Sequence, residues 1–149
     1  KRVVPYVIEP ALGVNRLLLA VLCDAYCKDM VPDRNGKLSE RTVLKLHPDL
    51  APYRVAVLPL MKKPEMISIA EELHVTLLDR FRCEIDLTGS IGKRYRRQDE
   101  IGTPFCVTVD PATLEDGRVT VRERDSARQV RVLVEEVASV VSGDKLPDA

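Results

Sequence analysis

The chain predicts an α/β fold: a three-layer unit around a mixed sheet of four to five strands, preceded by a separate strand and helix. Three observations predict it. Arg54 to Leu60 is a continuous apolar run after its first residue, the mark of a parallel strand covered on both faces. Strand-length and helix-length segments then alternate as far as Val109, the pattern of helices layered on a sheet. Asp116-Gly117 next makes a turn into Val119 to Arg124, an antiparallel partner, so the sheet is mixed.

Taken in order, Val3 to Ile8 is expected as a strand, ended by Glu9-Pro10. A helix is expected from Val14 to about Met30. Its first turns are apolar on every side, so it calls for burial on several sides. Asp33 to Lys37 is a polar turn. Pro48 and Pro52 bracket a short linker, which divides the chain into residues 1–48 and 49–149. Pro64 to about Phe81 has Met66, Ile69, Ala70, Leu73 and Leu77 at helical core spacing. Cys83 to Leu87 and Phe105 to Val109 read as strands on either side of a basic helix. Ser126-Ala127-Arg128-Gln129 matches a capping box and predicts a last helix, with Val130, Leu133, Val134, Val137 and Val141 on one face.

Composition sets the outer limits. With 149 residues and 45% apolar content, one domain plus an attached piece has a real core. Aromatics make up only 4%, so that core rests on Val, Leu and Ile. Lys and Arg total 23 against 23 Asp and Glu, which excludes a histone-like or polyanion-coating protein and argues against DNA as partner. No apolar run nears the roughly 20 residues of a membrane span, and no signal peptide is visible. The chain opens at Lys1 without Met and reads as part of a longer protein. Cys23, Cys27, Cys83 and Cys106 match neither a zinc ribbon nor a Cys-x-x-Cys pair. Cys23 and Cys27 would share a helical face, yet only two histidines accompany them, so buried reduced thiols of a cytoplasmic protein are expected and no metal.

Lys93 to Arg97 packs four cations and Tyr95 into five positions of a chain with no excess charge. A basic patch confined to one helix at a sheet edge argues for an RNA-binding site. The bland alternative is a solvated face balanced by Asp99 and Glu100. Arg122 and Arg124 share a strand face with Thr120, because side chains alternate along a strand.

Two separated segments resemble one family. Pro5-Tyr6-Val7-Ile8-Glu9-Pro10-Ala11-Leu12-Gly13-Val14-Asn15-Arg16 is similar to motif 3 of class II aminoacyl-tRNA synthetases, in the form seen in glycyl-tRNA synthetases. Thr42 to Pro48 and Val57 to Leu60 resemble the passage into the anticodon-binding domain of those enzymes. Gly89-Ser90-Ile91-Gly92-Lys93-Arg94-Tyr95-Arg96-Arg97-Gln98-Asp99-Glu100-Ile101-Gly102-Thr103-Pro104-Phe105 is similar to the most recognisable part of that domain. Thr113 to Gly117 and Val121 to Ser126 extend the likeness.

The resemblance implies roles by position. Arg16 would contact the triphosphate of ATP, which fits a guanidinium near a helix N-terminus. Glu9 would accept the ammonium of glycine, although Ala11 stands where many members have Ser. Lys93, Arg94, Arg96 and Arg97 would meet phosphates of the tRNA(Gly) anticodon loop. Asp99 or Glu123 would accept from a cytosine amine, Phe105 would stack, and Arg122 and Arg124 would line the same face. The parent would be a homodimeric ligase using ATP and Mg2+. Motifs 1 and 2 have no counterpart here, so this chain alone is expected to be inactive. Two alternatives share the fold. One is a non-catalytic synthetase-like RNA-binding module. The other is the domain of a threonyl, prolyl or histidyl enzyme, against which Gly89 to Tyr95 argues.

Overall fold

A computed structural model describes residues 2–32, 38–143 and 146. The elements in chain order are α1 (Val14–Ala25), β1 (Tyr26–Pro32), β2 (Leu38–Leu44), β3 (Val55–Pro59), α2 (Pro64–Leu78), β4 (Cys83–Ile85), α3 (Ile91–Ile101), β5 (Phe105–Val109), α4 (Thr113–Asp116), β6 (Arg118–Glu123), β7 (Gln129–Leu133) and α5 (Val137–Ser142). The main sheet has the order β4-β3-β5-β6-β7. β3 lies parallel to β4 and β5, while β6 and β7 run antiparallel to their neighbours, so the expected mixed sheet is present with five strands.

Alternation along the strands gives the sheet two unlike faces. Val55, Val57, Phe105, Val107, Val109, Val119, Val121 and Val132 point to one side and join Met66, Ala70, Leu73 and Leu77 of α2 and Val137 and Val141 of α5 in the main core. Ala56, Leu58 and Cys106 point to the other side, where Ile91 and Tyr95 of α3 pack on them. β3 and β5 are buried throughout because both faces are covered.

A second, two-stranded sheet pairs β1 with β2, from Tyr26↔Leu44 to Pro32↔Leu38, and this hairpin lies against α3. Gly102 fixes the contact. It ends α3 at φ 85°, and a Cβ there would stand 2.9 Å from both the Leu44 carbonyl oxygen and Leu46 Cδ1. Only glycine meets both the left-handed backbone and the close approach.

Three expectations are corrected. Residues 2–13 form no regular element and are exposed, and among the described residues no strand pairs with Val3 to Ile8. The first helix stops at Ala25, and Tyr26 onward is strand, so Cys27 leaves the helical face of Cys23. Gln129–Leu133 is a strand, and helix begins only at Val137 after a short 3-10 turn. Ser126 there serves a turn: its hydroxyl donates to Glu123 and accepts from the Arg128 N–H, with Ala127 at φ 56°. The polar turn at Asp33 to Lys37 lies outside the described residues.

Candidate nucleic-acid interface

α3 covers only the β3–β5 part of its sheet face. Thr108, Thr120, Arg122 and Gln129 extend the same face beyond the helix, and the hairpin stands opposite. Two hollows result. One, of about 560 Å3, is lined by hairpin residues Val31, Pro32 and Ser39 together with Tyr95, Arg96, Asp99, Arg122 and Gln129. The other, of about 190 Å3, shares Ile91, Tyr95 and Gln129 and reaches Leu60, Thr108, Asp110 and Thr120. Leu60 and Asp110 directly follow β3 and β5, whose connections diverge to opposite sides. That carboxyl-end switch point is where open α/β sheets bind ligands.

Tyr95 divides the two hollows. Its hydroxyl lies 2.5 Å from Thr108 Oγ1, and the Arg122 guanidinium carbon sits 5.0 Å from its ring centroid. Arg122 is held in turn. Its Nη1 and Nη2 donate to the two Asp99 oxygens at 2.8 and 3.0 Å. Asp99 Oδ2 also accepts from Arg41 Nη1 at 3.0 Å, and Arg41 grips Asp29 through Nε at 2.6 Å and Nη2 at 3.0 Å. Four side chains of alternating charge thus run from the hairpin to the cavity floor. Hydrogen bonding to Arg41 holds the Asp29 carboxyl below its ordinary range. Burial works against the Arg41 and Arg122 cations, yet the facing carboxylates raise both above the usual guanidinium value. Removing one member of such a buried set costs about 3–5 kcal/mol, because a charge is left without its partner.

The residues expected to bind RNA go to different places. Lys93 and Arg96 are exposed on α3, and Arg96 borders the larger cavity. Arg94 points inward, donating through Nη1 to the Pro59 carbonyl at 2.6 Å and the Asp86 carbonyl at 3.1 Å. Burial lowers its pKa, and no phosphate contact follows from that position. Arg97 is bound to the Asp86 carboxylate and the Thr88 carbonyl. Arg124 donates to the Gly102 carbonyl at 2.8 Å and to Asp125. Phe105 is 1% exposed in the main core, where neighbours cover the ring a base would stack on. Both Asp99 oxygens already accept from arginines, which corrects its role as a cytosine acceptor. Glu123 sits one residue beyond Arg122 and so alternates onto the opposite sheet face, where it accepts from Ser126. Glu9 and Arg16 are exposed, the latter in the first turn of α1.

Gln129, Ser39 and Arg41 also belong to the site or its frame, with no binding role expected from the sequence, and so does Tyr95, expected only as the aromatic of the basic run. Ile91, Tyr95 and Asp99 stand at i, i+4 and i+8, so one helical face was readable. Nothing local marks Arg41, which meets Asp99 across 58 residues. A third hollow suits RNA less well. The groove of about 570 Å3 between α2 and the C-terminal elements is mainly apolar, and Glu72 and Glu135 on its wall would repel phosphate.

The chain is similar to known proteins in sequence and in fold. Glycine–tRNA ligase of Clostridium perfringens (strain 13 / Type A) is 54% identical over 141 residues, covering 95% of this chain and 30% of the relative. Glycine–tRNA ligase of Streptomyces coelicolor is 56% identical over 137 residues, covering 92% of this chain and 30% of the relative. The chain therefore spans about 30% of the length of these curated relatives. Among solved structures, the RNA binding domain of threonyl-tRNA synthetase from Cryptosporidium parvum superposes with a TM-score of 0.60 at 21% identity, over 69% of this chain and 26% of that one. Prolyl-tRNA synthetase from the same organism gives 0.62 at 21%, over 76% and 31%. At that identity the likeness shows the fold. Residues 54–144, from the first strand of the main sheet past its last helix, match the family described as the anticodon binding domain, and to that family this chain belongs.

Proposed function

We propose that this chain is the anticodon-reading part of a glycine–tRNA ligase. Residues 49–149 carry the reading, and residues 1–48 are the end of the catalytic domain. The observation that carries the reading is the cavity between α3, the hairpin and the β6–β7 face, with Tyr95, Arg96 and Arg122 in its lining and Lys93 exposed on the same helix. Single-stranded loop bases are recognised by splaying them onto aromatic rings and guanidinium planes, then pairing their edges with polar groups. Tyr95 and Arg122 offer the plane. Gln129, whose amide holds a donor and an acceptor, offers the edge contact for a pyrimidine. Lys93 and Arg96 supply charge for phosphates.

The identity of 54% across 95% of the chain, Glu9 and Arg16 segment included, favours this over a free-standing RNA-binding module. In the whole enzyme, a cytoplasmic homodimer, ATP and glycine would be joined before transfer to tRNA. Arg16 is exposed at a helix start and suits a phosphate, and Glu9 is exposed and suits an ammonium. Among the described residues no group of three His, Cys, Asp or Glu is placed to hold a metal ion. Nor is any helix among them long and apolar enough to cross a membrane.

Titration of the chain with a tRNA(Gly) anticodon stem-loop at two salt concentrations tests the proposal. Charge reversal at Arg96 is expected to weaken all loops alike and to lower the salt slope by about one. Tyr95→Ala is expected to cost about 1–3 kcal/mol of binding, the usual worth of a stacked base. Arg122→Lys is expected to erode the preference for cytosine over uracil in the anticodon. Loss of affinity in Arg122→Lys with preference intact would place base reading elsewhere.

A further inference from the structure

Val31, Pro32 and Ser39 belong to the β1–β2 hairpin and lie outside the matched domain, yet they wall the same cavity as Tyr95 and Arg122. We propose that this hairpin is a working part of the RNA site, completing a seat for one unstacked ribonucleotide of a single-stranded loop. Arg41 then acts as a positioning residue for that seat. The inference rests on the reading of the cavity as an RNA site. It goes further by giving that site a wall, and a control point, from another part of the chain.

A two-stranded hairpin is marginal in water on its own, so something must hold it in place. The Arg41 guanidinium does so from a nearly fully buried position. It is bound to Asp29 within the hairpin, to Asp99 of α3, and to the Asp125 carbonyl beyond β6. Asp99 shares its carboxylate between Arg41 and Arg122, so docking of the hairpin and orientation of the Arg122 fork are one arrangement. Arg41 itself does not line the cavity. Its removal opens one wall and leaves Arg122 less firmly aimed under Tyr95. Ser39 contributes differently. It is half-buried and lines the hollow, and a hydroxyl can both donate to and accept from a ribose or base edge. The volume of about 560 Å3 lies in the range of sites for small ligands and holds one nucleotide.

The test uses the full 149-residue chain and the tRNA(Gly) anticodon stem-loop, with wild type, Arg96→Glu, Ser39→Leu, Arg41→Lys and Arg41→Met. Ser39→Leu fills the wall and leaves the ion chain intact. It is expected to lower affinity about tenfold at an unchanged thermal midpoint. Arg41→Met is expected to lose affinity and cytosine preference together while keeping the salt slope, since no phosphate contact is removed, and Arg41→Lys to restore part of both. If Arg41→Met does not fold, Ser39→Leu decides. A wild type that binds no stem-loop overturns the underlying reading. A wild type that binds and is weakened by Arg96→Glu, beside a Ser39→Leu protein that binds as wild type does, overturns this inference alone.

Discussion

Arg94, Arg96 and Arg97 lie within four positions of α3 and end in three environments. Arg96 faces solvent at the cavity rim, Arg97 closes on Asp86, and Arg94 turns under the helix to satisfy carbonyls at the end of β3 and after β4. In the sequence the three are equivalent members of a basic run. Burial separates them, and burial depends on which helical face meets the sheet. Arg94→Ala is therefore expected to act on stability, leaving two buried carbonyls short of a donor at about 1–3 kcal/mol each. Arg96→Ala should stay within about 0.5 kcal/mol of wild type. Urea denaturation midpoints of the two variants check this, and equal midpoints would mean that Arg94 bears no internal load. The cysteines divide in the same way. Burial pushes the Cys83 and Cys106 thiols up to about 12, so both stay neutral near pH 7, whereas Cys23 is exposed.

At the scale of elements, legibility followed the number of constraints on each segment. β3 and β5 are covered on both faces and read directly as apolar runs. β7 stands where a helix is expected because Val130, Val132 and Val134 satisfy a period of two while Val130, Val134, Val137 and Val141 satisfy a helical one. Pairing with β6 settles the choice. The hairpin was missed for a related reason: its strands are half exposed and bring few strong β-formers. Its docking includes the buried Asp29–Arg41–Asp99 chain, which gives it an acid limit. The Asp29 carboxyl is depressed in the fold, so its contribution is fully present above the ordinary value of 3.8 and is lost as pH falls through the lower, folded value. Amide shifts followed by NMR from about pH 6 down to about pH 3 should show β1 and β2 changing before the main sheet. A main sheet that changes first would remove the ion chain from its place as the hairpin's anchor.

Seen as a whole, the molecule is a sheet with one face given to its core and the other divided between a covering helix and an open polar floor. The fold class was legible because the alternation of strands and helices after Pro52 admits few arrangements. The cavity was less so, since its walls come from β1, β2, α3, β6 and β7, and no stretch of sequence contains them together. α1 belongs to neither layer: Leu17, Leu18 and Leu19 are 46%, 57% and 62% exposed, in a chain that spans about 30% of its relatives. A second group of cations lies at the amino end of the parallel strands, where Arg54, Arg80 and Arg82 surround a hollow with Asp49. That group provides an internal contrast for the central claim. NMR titration of the isotope-labelled chain with the tRNA(Gly) anticodon stem-loop should shift Ser39, Tyr95, Arg96, Arg122 and Gln129 as one saturating set, while Arg54, Arg80 and Arg82 stay still. Shifts centred on Arg54, Arg80 and Arg82, with Tyr95 and Arg122 unmoved, would contradict the account.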